Sequence, residues 1–264
     1  MKQYIVDAFT DKPYAGNPAA VCLVDRPLTD AQMQRIAAEN NLAETAFVRR
    51  EGDRWRIRWF TPSMEEELCG HATLAASFVI LHFSEPDADE VRYTSISGDL
   101  SVRRKGDRLE LNFPTFPLKP IPVTDAMERA FGARPIGAFL GLDLNCVFDS
   151  EETVRRLNPD YALLKQLPGR IWNATARGKY FDCVSRSFTP ETAVPEDPVC
   201  GSAHCQIADW WARTLQKPVI RACQASARGG ELECEPLLNG RIAIRGKAVL
   251  VSFGELCALP MEEP

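Results

Sequence analysis

The chain has 264 residues, room for one large or two ordinary domains, and its 45% apolar and 25% charged content is that of a globular protein. Lys and Arg total 31 against 36 Asp and Glu, a formal charge of −5, and the basic runs are short, which argues against a nucleic-acid partner. The most apolar stretch, 74–81, is too short to span a bilayer, and Asp7 interrupts any leader-like core at the start; the expectation is a cytoplasmic protein with no membrane partner. Nine cysteines, an odd number in a chain of this size, read as mostly free thiols.

In chain order, 4–9, 19–24, 45–49 and 56–60 are rich in β-branched and aromatic residues between Gly and Pro punctuation, and are predicted strands. Among them Thr29, with Gln32 three residues on, forms a capping-box signature ahead of Met33, Ile36 and Ala37 at helical spacing. That helix is predicted to end near Asn40 and Asn41. After Cys69 and Gly70, the residues Ala72, Leu74, Ala75, Ala76, Phe78, Val79, Ile80 and Leu81 leave no polar face, which predicts a helix surrounded by protein, with His82 as its C-terminal cap. Strands are predicted again at 91–95, 100–103 and 108–113, and the proline-rich segment 114–122 as a linker. In the second half a helix from Gly201 to Leu215 has a similar apolar spine, with Trp210 and Trp211 as core and interface residues, and strands follow at 231–234 and 241–245.

The two halves repeat one another. Arg58-Trp59-Phe60-Thr61-Pro62 recurs as Arg186-Ser187-Phe188-Thr189-Pro190 at an offset of 128, Cys69-Gly70-His71-Ala72 as Cys200-Gly201-Ser202-Ala203 at 131, and Gly98-Asp99-Leu100 as Gly230-Glu231-Leu232 at 132. Ordered matches near half the chain length imply a duplicated unit. Lobes at 1–116 and 117–264 are therefore expected, with a site in the cleft between them.

If each Cys-Gly pair starts a buried helix, two helix N-termini offer unpaired N–H groups and positive dipole ends, so an anion, such as a substrate carboxylate, is expected between Gly70 and Gly201. The same field would lower the pKa of Cys69 and Cys200. Two acid/base groups on opposite faces of one carbon suit a cofactor-free racemase or isomerase. The duplication is imperfect: Glu44 has Trp172 at offset 128, His71 faces Ser202, and Asp197 has no equivalent, so the site reads as asymmetric with a single carboxylate base. Zinc at Cys69 and His71, or at Cys200, His204 and Cys205, matches no common finger or ribbon spacing, and no metal is expected.

The blocks Asp7-Ala8-Phe9-Thr10, Gly16-Asn17-Pro18-Ala19-Ala20-Val21, Leu42-Ala43-Glu44-Thr45-Ala46-Phe47-Val48, Phe60-Thr61-Pro62, Leu68-Cys69-Gly70-His71-Ala72-Thr73 and Glu196-Asp197-Pro198-Val199-Cys200-Gly201-Ser202-Ala203-His204 together resemble the PhzF (phenazine biosynthesis) family. The resemblance runs almost the whole chain. It implies an α+β, duplicated two-lobe fold of the diaminopimelate epimerase type, each lobe a curved sheet or barrel around a central helix, in a homodimer without cofactor. It also implies Glu44 as catalytic base, His71, Asp197 and Ser202 as further catalytic positions, and Gly70 and Gly201 as backbone donors to a small carboxylate substrate; Asn17 lies in a matched motif and is expected to reach the cleft. The implied activity is a proton shift on that substrate. The alternatives are a two-cysteine amino-acid racemase or epimerase using Cys69 and Cys200, which leaves Glu44 unexplained, and a non-catalytic small-acid binding protein, which leaves the whole ionisable set unexplained.

Overall fold

In the computed structural model, residues 1–192 and 194–257 are described. The chain divides into two compact units, Met1–Asn112 with the segment from Arg245 onward, and Phe113–Ile244. The expected lobes, 1–116 and 117–264, need correcting: the division falls between Asn112 and Phe113, and the segment from Arg245 belongs with the first unit. The strand Ala248–Glu255 pairs antiparallel with Lys2–Ala8, so the C-terminal segment returns to the first unit. The predicted linker contains a strand, Lys119–Ile121, that pairs with Gly137–Leu140 in the second unit.

The first unit is a sheet in the order Ala248–Glu255, Lys2–Ala8, Asn17–Leu23, Glu44–Glu51, Arg54–Phe60, Glu90–Ser95, Gly98–Lys105, Arg108–Pro114. Pairing is antiparallel except between Asn17–Leu23 and Glu44–Glu51 and between Arg54–Phe60 and Glu90–Ser95, which are parallel. The helix Asp30–Asn40 provides the first of these crossovers. It starts at Thr29 with the predicted capping box, Thr29 Oγ1 accepting from Gln32 N and Gln32 Oε1 from Thr29 N, and ends at Asn41 in the left-handed conformation. It covers one face of the sheet, where Met33, Ile36 and Ala37 pack on Cys22, Phe47 and Phe60.

The second crossover is the helix Gly70–Val79, extended by a π-helical turn, Ile80–Ser84. Its apolar circumference has the predicted outcome: it packs on Lys2–Ala8, Asn17–Leu23, Glu44–Glu51 and Ala248–Glu255, and Leu74, Ala75, Ala76 and Val79 are fully buried. Within it Ser77 Oγ lies 2.8 Å from Thr73 O and 2.7 Å from Tyr93 Oη. At its end His82 Nδ1 lies 2.8 Å from Phe78 O, the expected cap.

The second unit repeats this wiring. Gly137–Leu140, Leu144–Val147, Trp172–Arg177, Cys183–Phe188, Ile220–Gln224 and Gly230–Pro236 follow in sheet order, with parallel pairing at the second and fourth steps, as in the first unit when its steps are counted from Lys2–Ala8. The helix Gly201–Leu215 takes the place of the apolar helix of the first unit, packing on Cys183–Phe188, Ile220–Gln224 and Gly230–Pro236. Trp211 is buried and donates to Thr175 Oγ1 at 2.9 Å, while Trp210 stacks on Phe139 with centroids 5.4 Å apart, so both tryptophans serve packing.

The repeated Arg-x-Phe-Thr-Pro motif has a physical basis. Arg58 grips Glu65 through two bonds of 2.7 and 2.6 Å and lies 5.1 Å from the Phe60 ring centroid. Arg186 grips Glu196 through bonds of 2.7 and 2.8 Å and lies 5.0 Å from the Phe188 centroid. In each unit a short return strand, Glu65–Glu66 or Glu196–Asp197, is held against the long strand by a bidentate arginine pair. The offset grows from 128 to 131 in the loop between the motif and that return strand.

Candidate active site

The functional candidates of the first unit gather at one end of its sheet. Asn17 and Glu44 are the first residues of two adjacent parallel strands, with Ala19 beside Glu44 in register. Phe60 ends its strand opposite Thr45, at the same end, and ten residues later Gly70 opens the central helix. Side chains alternate along a strand. Because Cys22 and Phe47 face the helix Asp30–Asn40, Asn17 and Glu44 face the opposite side, where the central helix packs. Both are buried, Glu44 at 9% exposure and Asn17 at 0%.

At the helix start Cys69 is the N-cap in an extended conformation. Its Sγ lies 3.3 Å from His71 Nδ1. Burial pushes the His71 pKa down to about 3, so the imidazole is neutral at physiological pH. Its Nε2 is buried and has no hydrogen-bond partner among the described residues. His71 is therefore a neutral hydrogen-bonding group, not a cationic acid.

In the second unit Cys200 is likewise the N-cap residue, in an extended conformation. Ser202 is exposed, with Oγ 3.4 Å from Cys200 Sγ, and Gly201 is buried as the first helical residue. Asp197 is half-buried and accepts from Val199 N at 3.0 Å, the turn-type bond that fixes the approach to the helix. His204 Nδ1 lies 2.7 Å from Cys200 O and Nε2 3.2 Å from Ser185 Oγ; its repeat mate Thr73 binds Cys69 O in the same way.

Three sequence readings change. First, the expected acidic thiol is absent at Cys200, whose pKa is pushed well up by burial, reinforced by the Asp197 charge. Second, the repeat mate of Glu44 is Ile171, not Trp172. Thr45 pairs with Phe60 and Trp172 with Phe188, so the second hairpin is one residue longer and the numbering slips by one between the two strands. The carboxylate still has no counterpart. Third, Gln224 escaped notice. It is fully buried, accepts from Cys200 N at 2.8 Å and donates to Asp197 O at 2.6 Å, clasping the segment 197–200. Its signal was available: with Ile220 and Ala222 it occupies the third buried position of an alternating strand, where an apolar residue is expected.

All nine cysteines are free, as expected. Among the described residues no three His, Cys, Asp or Glu side chains are grouped to hold a metal ion, and no helix is long and apolar enough to cross a membrane.

Two helix-centred units with matching strand order, each opening its helix at a Cys-Gly pair, define the duplicated α+β fold of the epimerase type. A predicted epimerase from Pseudomonas aeruginosa, 19% identical, has this fold with a TM-score of 0.75 over 97% of this chain and 99% of that one. Residues 6–254 match the model of the phenazine biosynthesis-like (PhzC-PhzF) proteins, and the chain belongs to that family. An uncharacterized isomerase of Pseudomonas aeruginosa is 48% identical over 252 residues, 95% of this chain and 96% of that protein. The crystal structure of a PhzF-family protein from Enterococcus faecalis is 43% identical with a TM-score of 0.94, covering 97% of this chain and 99% of that one.

Proposed function

We propose that this protein is a cofactor-independent isomerase of the PhzF-like type, in which Glu44 takes a proton from one carbon of a small carboxylate-bearing substrate and returns it to another as the double bond shifts. The observation that carries this reading is the buried Glu44 at a strand start on the face of the central helix, with an apolar residue at the corresponding place in the repeat. A single carboxylate base with no counterpart in the repeat suits a proton shift better than two-sided racemisation. In this reading the Gly70 and Gly201 amides, each the first residue of its helix, bind the substrate carboxylate. Neutral His71 and Ser202 supply hydrogen bonds, Asp197 assists proton transfer, and Asn17 contacts substrate. The relative named an isomerase supports the reaction class. A homodimer in the cytoplasm completes the proposal.

The two-thiol racemase is disfavoured by one observation. A thiol whose pKa is pushed up by burial, as at Cys200, is a poor base at neutral pH. The test is deuterium uptake from deuterated water into cyclic unsaturated hydroxy acids, followed by NMR. Glu44→Gln should abolish uptake at the new carbon with the fold intact, and Cys69→Ser and Cys200→Ser should each keep most of it. Thiol-dependent α-proton exchange on an amino acid would replace this reading with the racemase.

A further inference from the structure

The sheet face of the first unit that turns away from Glu44 carries a second concave site. In the antiparallel pair formed by Glu44–Glu51 and Arg54–Phe60, Arg49 stands directly opposite Arg56, and Phe47 opposite Arg58. Like charges at directly opposed positions destabilise a sheet. Arg49, Arg56 and Arg58 line a cavity of about 180 Å³ together with Leu28, Met33 and Phe47. Their neutralisation is uneven: Arg58 pairs with Asp30 and Glu65, Arg49 with Glu51, and among the described residues no carboxylate pairs with Arg56.

We propose that this cavity binds a compact organic anion with an apolar body, its carboxylate held by Arg56 and Arg49 and its ring lying on Met33 and Phe47. Three features converge. An anion between opposed arginines relieves their repulsion, and a guanidinium presents a planar fork matched to a carboxylate. Met33 and Phe47, both buried, share the cavity lining with the three arginines, the mixture of apolar wall and few charged groups usual in a small-molecule site. Glu44 and Phe47 lie three residues apart on one strand and point to opposite faces, so this site is separate from the proposed catalytic one.

The probe is benzoate, titrated into the whole protein carrying labelled methionine methyl groups and followed by NMR, with benzamide as the uncharged control. Benzoate should move the Met33 methyl resonance, bind at least tenfold more tightly than benzamide, and lose at least fivefold in affinity in Arg56→Gln. Glu44→Gln should leave the titration unchanged, which separates failure of this site from failure of the proposed reaction. An unmoved Met33 methyl, equal binding of benzamide, or equal affinity in Arg56→Gln would overturn the proposal; the benzamide comparison needs no variant.

Discussion

Replacing Gln224 by alanine should damage the second helix start in a measurable way. The side chain is fully buried and makes two bonds, from Cys200 N at 2.8 Å and to Asp197 O at 2.6 Å. Cys200 is buried, so its amide would be left without a partner, at about 1–3 kcal/mol; Asp197 is half-buried, so its carbonyl can turn to water and only the net bond, about 1 kcal/mol, is lost. The sum is about 2–4 kcal/mol, and with roughly 2–4 °C per kcal/mol for chains of this size Tm should fall by roughly 5–15 °C. Gln224→Glu keeps the acceptor for Cys200 N but loses the donor to Asp197 O and adds a negative charge beside Asp197. It should lower turnover more than its stability loss explains. Urea unfolding followed by tryptophan fluorescence, with turnover measured under conditions where each variant is folded, supplies both numbers. A loss below 1 kcal/mol in Gln224→Ala, with turnover unchanged in Gln224→Glu, would refute the clasp.

Cys200 should resist alkylation in the folded protein: iodoacetamide at pH 8 should modify exposed Cys257 first by mass spectrometry, and equal rates at the two would show that the Cys200 thiol is neither buried nor raised. Acid should destabilise the fold through its two buried imidazoles. Their folded pKa values, about 3 for His71 and about 4 for His204, lie below the ordinary 6.5, so the unfolded chain binds more protons below pH 6.5 and stability falls as pH falls toward those values. The slope should approach 1.4 kcal/mol per pH unit for each histidine; urea midpoints between pH 7 and 5 should show it, and His204→Asn should remove about half. The twin arginine grips should be matched energetically, Arg58→Met and Arg186→Met each costing about 1–3 kcal/mol given their partial exposure. A cost at one and none at the other would show that the repeat is geometric only.

Much of this protein was legible in its residues because the signals are local. Alternation and turn chemistry placed the strands of the first half, Thr29 and Gln32 located a helix start, and the unbroken apolar run after Cys69 marked a buried helix. The repeated Arg-x-Phe-Thr-Pro and Cys-Gly motifs exposed the duplication because each is a self-contained device, an arginine grip or a helix opening. Family membership followed from their order, and the candidate site from the motifs.

What the sequence left open depends on partners far along the chain. Strand Ala248–Glu255 returns to Lys2–Ala8 because an edge needs a partner, and no nearby residue records which edge it will be. The mate of Glu44 shifted by one residue because strand register, not sequence offset, decides equivalence, and a hairpin one residue longer moves the numbering. Arg49 and Arg56 are seven residues apart in sequence and directly opposed in space. The raised pKa of Cys200 comes from burial, which depends on everything packed around it and is not written in the local sequence. Gln224 reads as a polar residue on a strand until folding places it 24 residues back along the chain, against the backbone of Cys200.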